Sequence, residues 1–220
     1  MATDVDICNL AVAHLGDEAT IASIDPPEGS AQAEHCARFY PMARDTLLES
    51  HTWGFATRRA ALALLSSSTA QWNYTYQAPA QVLNILAVLP VDASDDYSSA
   101  PLIVSGSNPI VTGAGYVPQA FVLESLADGT EIILTDLADA WVRYTVRVTD
   151  AAKFPPLVVD CLSWLLASMI AGPLIKGDTG AAAGRTCFQT YRMRLAEAIA
   201  SDANDRQLRP VHAVPWLAGR

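Results

Sequence analysis

The spacing of apolar positions changes twice along the chain. From about Thr3 to Leu15, Val5, Cys8, Val12 and Leu15 recur as one helical stripe; Thr3 can cap the segment with Asp6 at the third helical position, and Gly16 ends it. After the turn-rich link IDPPEGS, Ser30 can cap a second helix that carries Ala33, Cys36, Ala37, Tyr40, Leu47 and Leu48 to about Ser50. Pro41 removes one backbone hydrogen bond inside it, which predicts a kink or short break near Ala37. The helix stops at HTWGFA, a structural corner where Gly54 supplies a flexible backbone position and Trp53 and Phe55 can fold back onto the finished helix.

From Arg58 the period falls to two. RRAALALL and QWNYTYQAP alternate as strands, with the serine run SSST as the turn between them, while AQVLNILAVLP reads equally as a short helix or a strand. Residues 92–119 are rich in Asp, Ser, Gly and Pro and predict long loops around one or two short strands. AFVLESLADGTEIILTDL predicts a hairpin turning at Asp128-Gly129, and WVRYTVRV is a further strand with Arg143 and Arg147 on one face.

Helical spacing then returns. Pro155 and Pro156 start an apolar helix in which Ala167, Ala171 and Gly172 permit close helix contact. GDTGAAAGRT reads as a flexible connection leading into a last helix to about Ala203, with Phe188, Tyr191, Leu195 and Ala198 on its buried face. The closing RQLRPVHAVPWLAGR is extended and proline-broken, and its Trp216-Leu217 pair suits docking either on its own body or on a neighbour.

These elements predict an α+β fold. Residues 1–57 and 150–205 form an antiparallel helical bundle, residues 58–149 an inserted, mostly antiparallel β domain, and residues 206–220 an extended C-terminal tail. With 220 residues, 51% of them hydrophobic and 17% charged, the chain can bury one sizeable core or a core with a smaller dependent unit. The N-terminus has no basic segment ahead of an apolar run, so no signal peptide is expected. The apolar run 157–175 contains Asp160, two serines, a glycine and Pro173, which favours a core helix over a membrane span.

Charge divides the chain as sharply as periodicity does. Residues 60–142 contain Asp92, Asp95, Asp96, Glu124, Asp128, Glu131, Asp136 and Asp139 but no Lys, Arg or His, so this stretch carries nearly all of the net charge of −9. Such a region repels phosphate backbones. Arg58 and Arg59 stand at the start of the inserted unit and Arg143 and Arg147 at its end, which predicts one belt at the junction or ordinary salt bridges to Asp45, Glu49 or Asp150.

Site chemistry is sparse. Cys8, Cys36, Cys161 and Cys187 are scattered, with no ligand spacing to each other or to the four isolated histidines, so buried thiols are expected, with no metal and no cofactor. GDTGAAAGRT departs from a phosphate loop: Gly180 and Gly184 are one residue too close and Arg185 stands where lysine is required. No nucleophile elbow or HExxH pattern occurs, and no residue stands out as a catalyst.

ICNLAVAHLGD, AQAEHCARFYPMARDTLLESHTWGFATRRAAL, WNYTYQAPAQVLNI and the closing SDANDRQ with its tryptophan tail together resemble the tail tubular protein A family, the head-to-tail adaptors of short-tailed bacteriophages. The resemblance covers both helical arms and the first strands. It implies a non-enzymatic virion protein, assembled in the host cytoplasm, whose copies form a dodecameric ring under the portal protein. Such a ring meets the tail nozzle, with tail fibres attaching near that boundary, and DNA passes through its channel without sequence recognition; no membrane is involved. It places Trp53, Gly54 and Phe55 at the family's helix-to-strand corner. Pro210, Val214, Trp216, Leu217 and Arg220 become candidates for an arm that clasps the portal or an adjacent subunit. Another virion connector, such as a head-completion or tail-terminator protein, and a nucleotide-binding enzyme remain as alternatives.

Overall fold

A computed structural model describes residues 2–65, 71–91 and 119–205, together with the backbone of 103–105 and 108–110. Among these residues the fold is α+β, with four α-helices, two larger antiparallel sheets and a two-stranded hairpin. The chain divides into two compact units: a helical one through Ala56 and again from Arg147 to Asp205, and a β unit from Thr57 to Val146. The second boundary lies earlier than periodicity suggests. Val148 is buried and Arg147 reaches Asp45, so the residues after Val146 belong with the helices.

In the helical unit, α1 (Asp4–Ala13) opens with the expected reciprocal cap: Asp6 N–H donates to Thr3 Oγ1 and Thr3 N–H to the Asp6 carboxylate. Its buried stripe is Ile7, Cys8, Ala11 and Val12, displaced from the predicted one because Val5 and Leu15 are only partly covered. Helix α2 (Ala31–Glu49), capped by Ser30, runs through Pro41 without a break. Pro41 is exposed, so the missing N–H is lost on the wet side of the helix, where the backbone is readily satisfied.

Helix α3 (Pro156–Ile175) starts at the proline pair and is buried on most of its circumference, packing against α1, α2 and α4 (Gly177–Asn204). It is long and apolar enough to cross a membrane by length and composition alone. Here those apolar residues, among them Leu162, Leu166 and Ile170, are the core of the helical unit. Only Lys176, in left-handed conformation at φ 60°, separates α3 from α4. The two helices then run antiparallel, as shown by Gly180 lying against Ala171, Gly184 against Ser168, and Arg194 reaching Asp160.

GDTGAAAGRT is therefore helix, not a flexible connection. A Cβ on Gly180 would lie 3.0 Å from the Ala171 carbonyl oxygen, and one on Gly184 3.1 Å from that of Ser168. The glycines are there for closeness of approach. They also set the phase of α4: Cys187, Tyr191 and Ala198 are buried, whereas Phe188 stands exposed and Leu195 half-covered, contrary to the predicted face.

In the β unit, β1 (Thr57–Ala61), β9 (Trp141–Val146) and β4 (Val82–Leu89) form one antiparallel sheet in the order β1-β9-β4. Strand β4 carries two register irregularities, at Val82/Asn84 and Ile85/Ala87. The second sheet has the order β2-β3-β8-β7, from β2 (Ala63–Leu64), β3 (Tyr74–Gln77), β8 (Glu131–Thr135) and β7 (Phe121–Ser125). Strands β5 (Ile103–Ser105) and β6 (Asn108–Ile110) make the remaining hairpin. Tyr76, Val88, Ile133, Ala140 and Val142 from both larger sheets share one apolar cluster, and the Tyr76 hydroxyl donates to the Leu137 carbonyl at 2.9 Å. The β7–β8 hairpin turns at Asp128-Gly129, with Gly129 at φ 85° and Asp128 accepting from Thr130 N–H.

Candidate functional site

The corner after α2 is built from a few short steps. The Ser50 hydroxyl donates to the Leu47 carbonyl at 2.8 Å, and Trp53 Nε1 donates to the same oxygen at 2.8 Å, which turns the indole back onto the last turn of α2. Trp53 is wholly buried. His51 meets it edge-on with centroids 4.8 Å apart, and Phe55 packs between Trp53 and Phe154 at 6.0 and 5.7 Å. Burying aromatics whose polar atoms keep a partner is what lets so large a side chain close a helical core.

One carboxylate from α4 clamps this corner. Asp202 Oδ1 accepts the Gly54 N–H at 2.8 Å, and Oδ2 lies 3.3 Å from His51 Nε2. A Cβ on Gly54 would stand 3.2 Å from that Oδ1. Gly54 sits in a 3-10 turn, Gly54–Ala56, and is not among the residues of positive φ. Its role is room for the Asp202 carboxylate rather than backbone freedom, which corrects the sequence expectation. Beside the clamp is a cleft of about 160 Å³ lined by Trp53, the Pro155–Val158 turn, Ala198 and Asp202.

Arg59 stands opposite Arg143 in the β1–β9 register, and Arg58 is one step along, opposite Tyr144, with its side chain donating to the Thr57 carbonyl. Arg147 lies beyond the end of β9 and pairs with Asp45 at 3.1 Å, as the salt-bridge reading anticipates; Asp45 also holds Arg44 at 2.8 Å. Pro210, Val214, Trp216, Leu217 and Arg220 lie outside the described residues. Of the acids between 60 and 142, Glu124, Asp128, Glu131, Asp136 and Asp139 are described, and all five are exposed.

The cysteines are free and buried. A hydrogen bond to Cys36 and then burial push the Cys8 thiol well above its ordinary range, and burial pushes Cys161 up to about 12. Thiols held protonated in this way are poor nucleophiles and poor ligands. Among the described residues no group of three or more His, Cys, Asp or Glu is placed to hold a metal ion.

One Ser–His contact was not foreseen. His14 stacks on Trp164 with centroids 3.7 Å apart and planes 7° from parallel, and its Nε2 is 2.9 Å from Ser163 Oγ. Ser163 Oγ already donates to the Asp160 carbonyl at 2.7 Å, so it accepts from His14, the wrong direction for a base activating a nucleophile. This is a half-buried tie between the end of α1 and α3. Asp202 was also missed as a site residue, although the closing stretch SDANDRQ contains it; no local pattern marks a partner for residues so far upstream.

The chain matches no protein-family model and no curated protein sequence.

Proposed function

We propose that the chain is a non-enzymatic virion subunit: a head-to-tail adaptor whose copies form a ring under a portal, join it to a tail nozzle and leave a central channel for DNA. In this reading the helical unit is an antiparallel bundle that makes the body of the ring, a dodecamer on the pattern of the family it resembles, and tail fibres attach near the nozzle boundary. The observation that carries it is the Asp202 clamp. HTWGFATRR and SDANDRQ, two stretches on which the resemblance rests, are 148 positions apart at Gly54 and Asp202 and are held together by one carboxylate.

Exposed charge is consistent with this role. Five exposed acids in a unit that has no base between residues 60 and 142 disfavour adhesion to a phosphate backbone, which suits a part past which DNA must slide. The reading is tested by running the purified protein on a sizing column with and without portal rings over a range of salt. Co-migration with the portal is expected; failure to co-migrate at every ionic strength would remove the adaptor role. Removing residues 210–220 examines the arm separately: weaker portal binding is expected, and unchanged binding would discard the arm while leaving the adaptor.

A further inference from the structure

Strand β7 is an open edge. In the order β2-β3-β8-β7 it has one hydrogen-bonded neighbour, and its five pairs with β8 run without a register shift. Leu126 N–H donates to the Thr130 carbonyl at 2.8 Å, and Ala78 N–H to the Glu131 carbonyl at 2.9 Å. Alternation from those two bonds turns the backbone of Val122 and Glu124 toward β8 and leaves the N–H and C=O groups of Phe121, Leu123 and Ser125 pointing outward. These outward groups have no hydrogen-bonded partner among the described residues.

Natural edges are blunted by proline, lysine or a bulge, and β7 has none of the three. Its two faces are alike in chemistry. The β7–β8 register puts Val122 and Glu124 on one face, and on the other Leu123, opposite Ile133, with Glu131, opposite Ser125. Val122 and Leu123 are 37% and 43% exposed, and both glutamates are exposed. An added strand would therefore meet one open apolar side chain and one carboxylate on each of its faces.

Residues 206–220, beyond the described end of α4, have the matching composition: three arginines, one histidine and no acid. Pro210 and Pro215 bracket residues 211–214, and Val211 and Val214, three positions apart, fall on opposite faces of a strand. We propose that residues 211–214 of one copy add as a strand to the β7 edge of a second copy. The tail backbone joins the outward groups of β7, one valine covers Val122 and the other Leu123, and the tail arginines lie among Glu124, Asp128 and Glu131. Residues 206–210 separate Asp205 from Val211, about 20 Å of extended chain, so the strand can clear the end of α4. Edge and tail are different surfaces, so the contact is head-to-tail, and its repetition generates a ring when the rotation closes. The inference rests on the ring reading above and names its subunit contact. Loss of the arm then weakens portal binding because a ring grips the portal at many points and a single copy at one.

The test compares full-length wild type with Val211→Asp/Val214→Asp and with the 210–220 deletion, changes beyond α4 that should leave circular dichroism as it is. Sedimentation velocity should show both variants associating about a hundredfold more weakly than wild type. Hydrogen exchange resolved to single amides identifies the added strand. Leu123 and Ser125 should exchange slowly in assembled wild type and fast in both variants, while Val122 and Glu124, bonded to β8, stay slow in all three. Leu123→Pro, which takes away an outward N–H and keeps the β8 ladder, should weaken association as the tail changes do. Fast exchange at Leu123 and Ser125 in a wild-type protein that assembles would overturn this contact and leave the ring standing. Protection that survives loss of the tail would give the edge to another segment, and protection independent of protein concentration would give it to the chain's own tail; either result overturns the proposal. A wild-type chain that is monomeric both alone and with portal rings would remove the contact and the ring together.

Discussion

The backbone N–H of Gly54 donates to Oδ1 of Asp202 at 2.8 Å, so the end of α4 closes the corner that follows α2. A neutral amide in place of the carboxylate keeps the shape and loses the charge. Asp202→Asn, whose amide oxygen can still accept from Gly54, should cost about 1 kcal/mol, the difference between a hydrogen bond to a charged acceptor and one to a neutral acceptor. Gly54→Ala, whose Cβ would press on the same oxygen, should cost about 1 kcal/mol. Urea unfolding of the two single variants and the double variant checks this: the double variant should lose clearly less than the sum, because both changes act on one bond.

Trp53 closes the helical core with its indole wholly buried and its N–H on the Leu47 carbonyl. Trp53→Phe should cost about 1–3 kcal/mol through the lost hydrogen bond and a small void. Trp53→Ala should cost about 3–5 kcal/mol. Denaturant midpoints, followed by far-ultraviolet circular dichroism, rank the two.

Two glycines in one helix pair should respond to alanine with opposite signs. A helical Gly→Ala change ordinarily gains about 0.5–1 kcal/mol. Gly172 has open space where its Cβ would go, so Gly172→Ala should stabilise by about that amount. At Gly180 the new Cβ would meet a backbone oxygen at 3.0 Å, and Gly180→Ala should destabilise by about 1–3 kcal/mol as α3 and α4 are pushed apart. Thermal melts of both variants decide the matter.

His14 should make stability depend on pH. Burial holds its pKa below the ordinary value of 6.5, against an opposing influence from the nearby Asp160 carboxylate, and the ring is stacked on Trp164 beside Ser163. As pH falls, the unfolded chain takes up the proton first. Stability is therefore full above about pH 6.5, declines as pH drops from there toward the folded pKa, and has lost the whole His14 contribution below it. Melting temperatures of wild type and His14→Gln from pH 8 to pH 5 should show a steeper decline for wild type below pH 6.5; parallel curves would remove His14 as the cause.

Features set by neighbouring residues were legible in the sequence. The Thr3–Asp6 cap, Ser30 at the start of α2, the Pro155-Pro156 start of α3 and the Asp128-Gly129 turn each depend on a few adjacent positions. Features set by distant contacts were not. The alternation in AQVLNILAVLP is interrupted by two bulges, so β4 looked equally helical. Arg147 continues the period of β9 but is taken by Asp45. The buried face of α4 was misplaced because close approach at Gly180 and Gly184 sets the rotation of the helix, and glycine is silent in a hydrophobic pattern. Asp202 reads as a solvated acid until the fold brings Gly54 to it.

Helix α4 is pinned near both ends, by Gly180 on the Ala171 carbonyl and by Asp202 on Gly54, and so behaves as a ruler about six turns and 33 Å long. Its length is counted in residues. Inserting or deleting a single one between those pins would swing the Asp202 carboxylate by about 100° off its target, so the span of this helix can change only by whole turns.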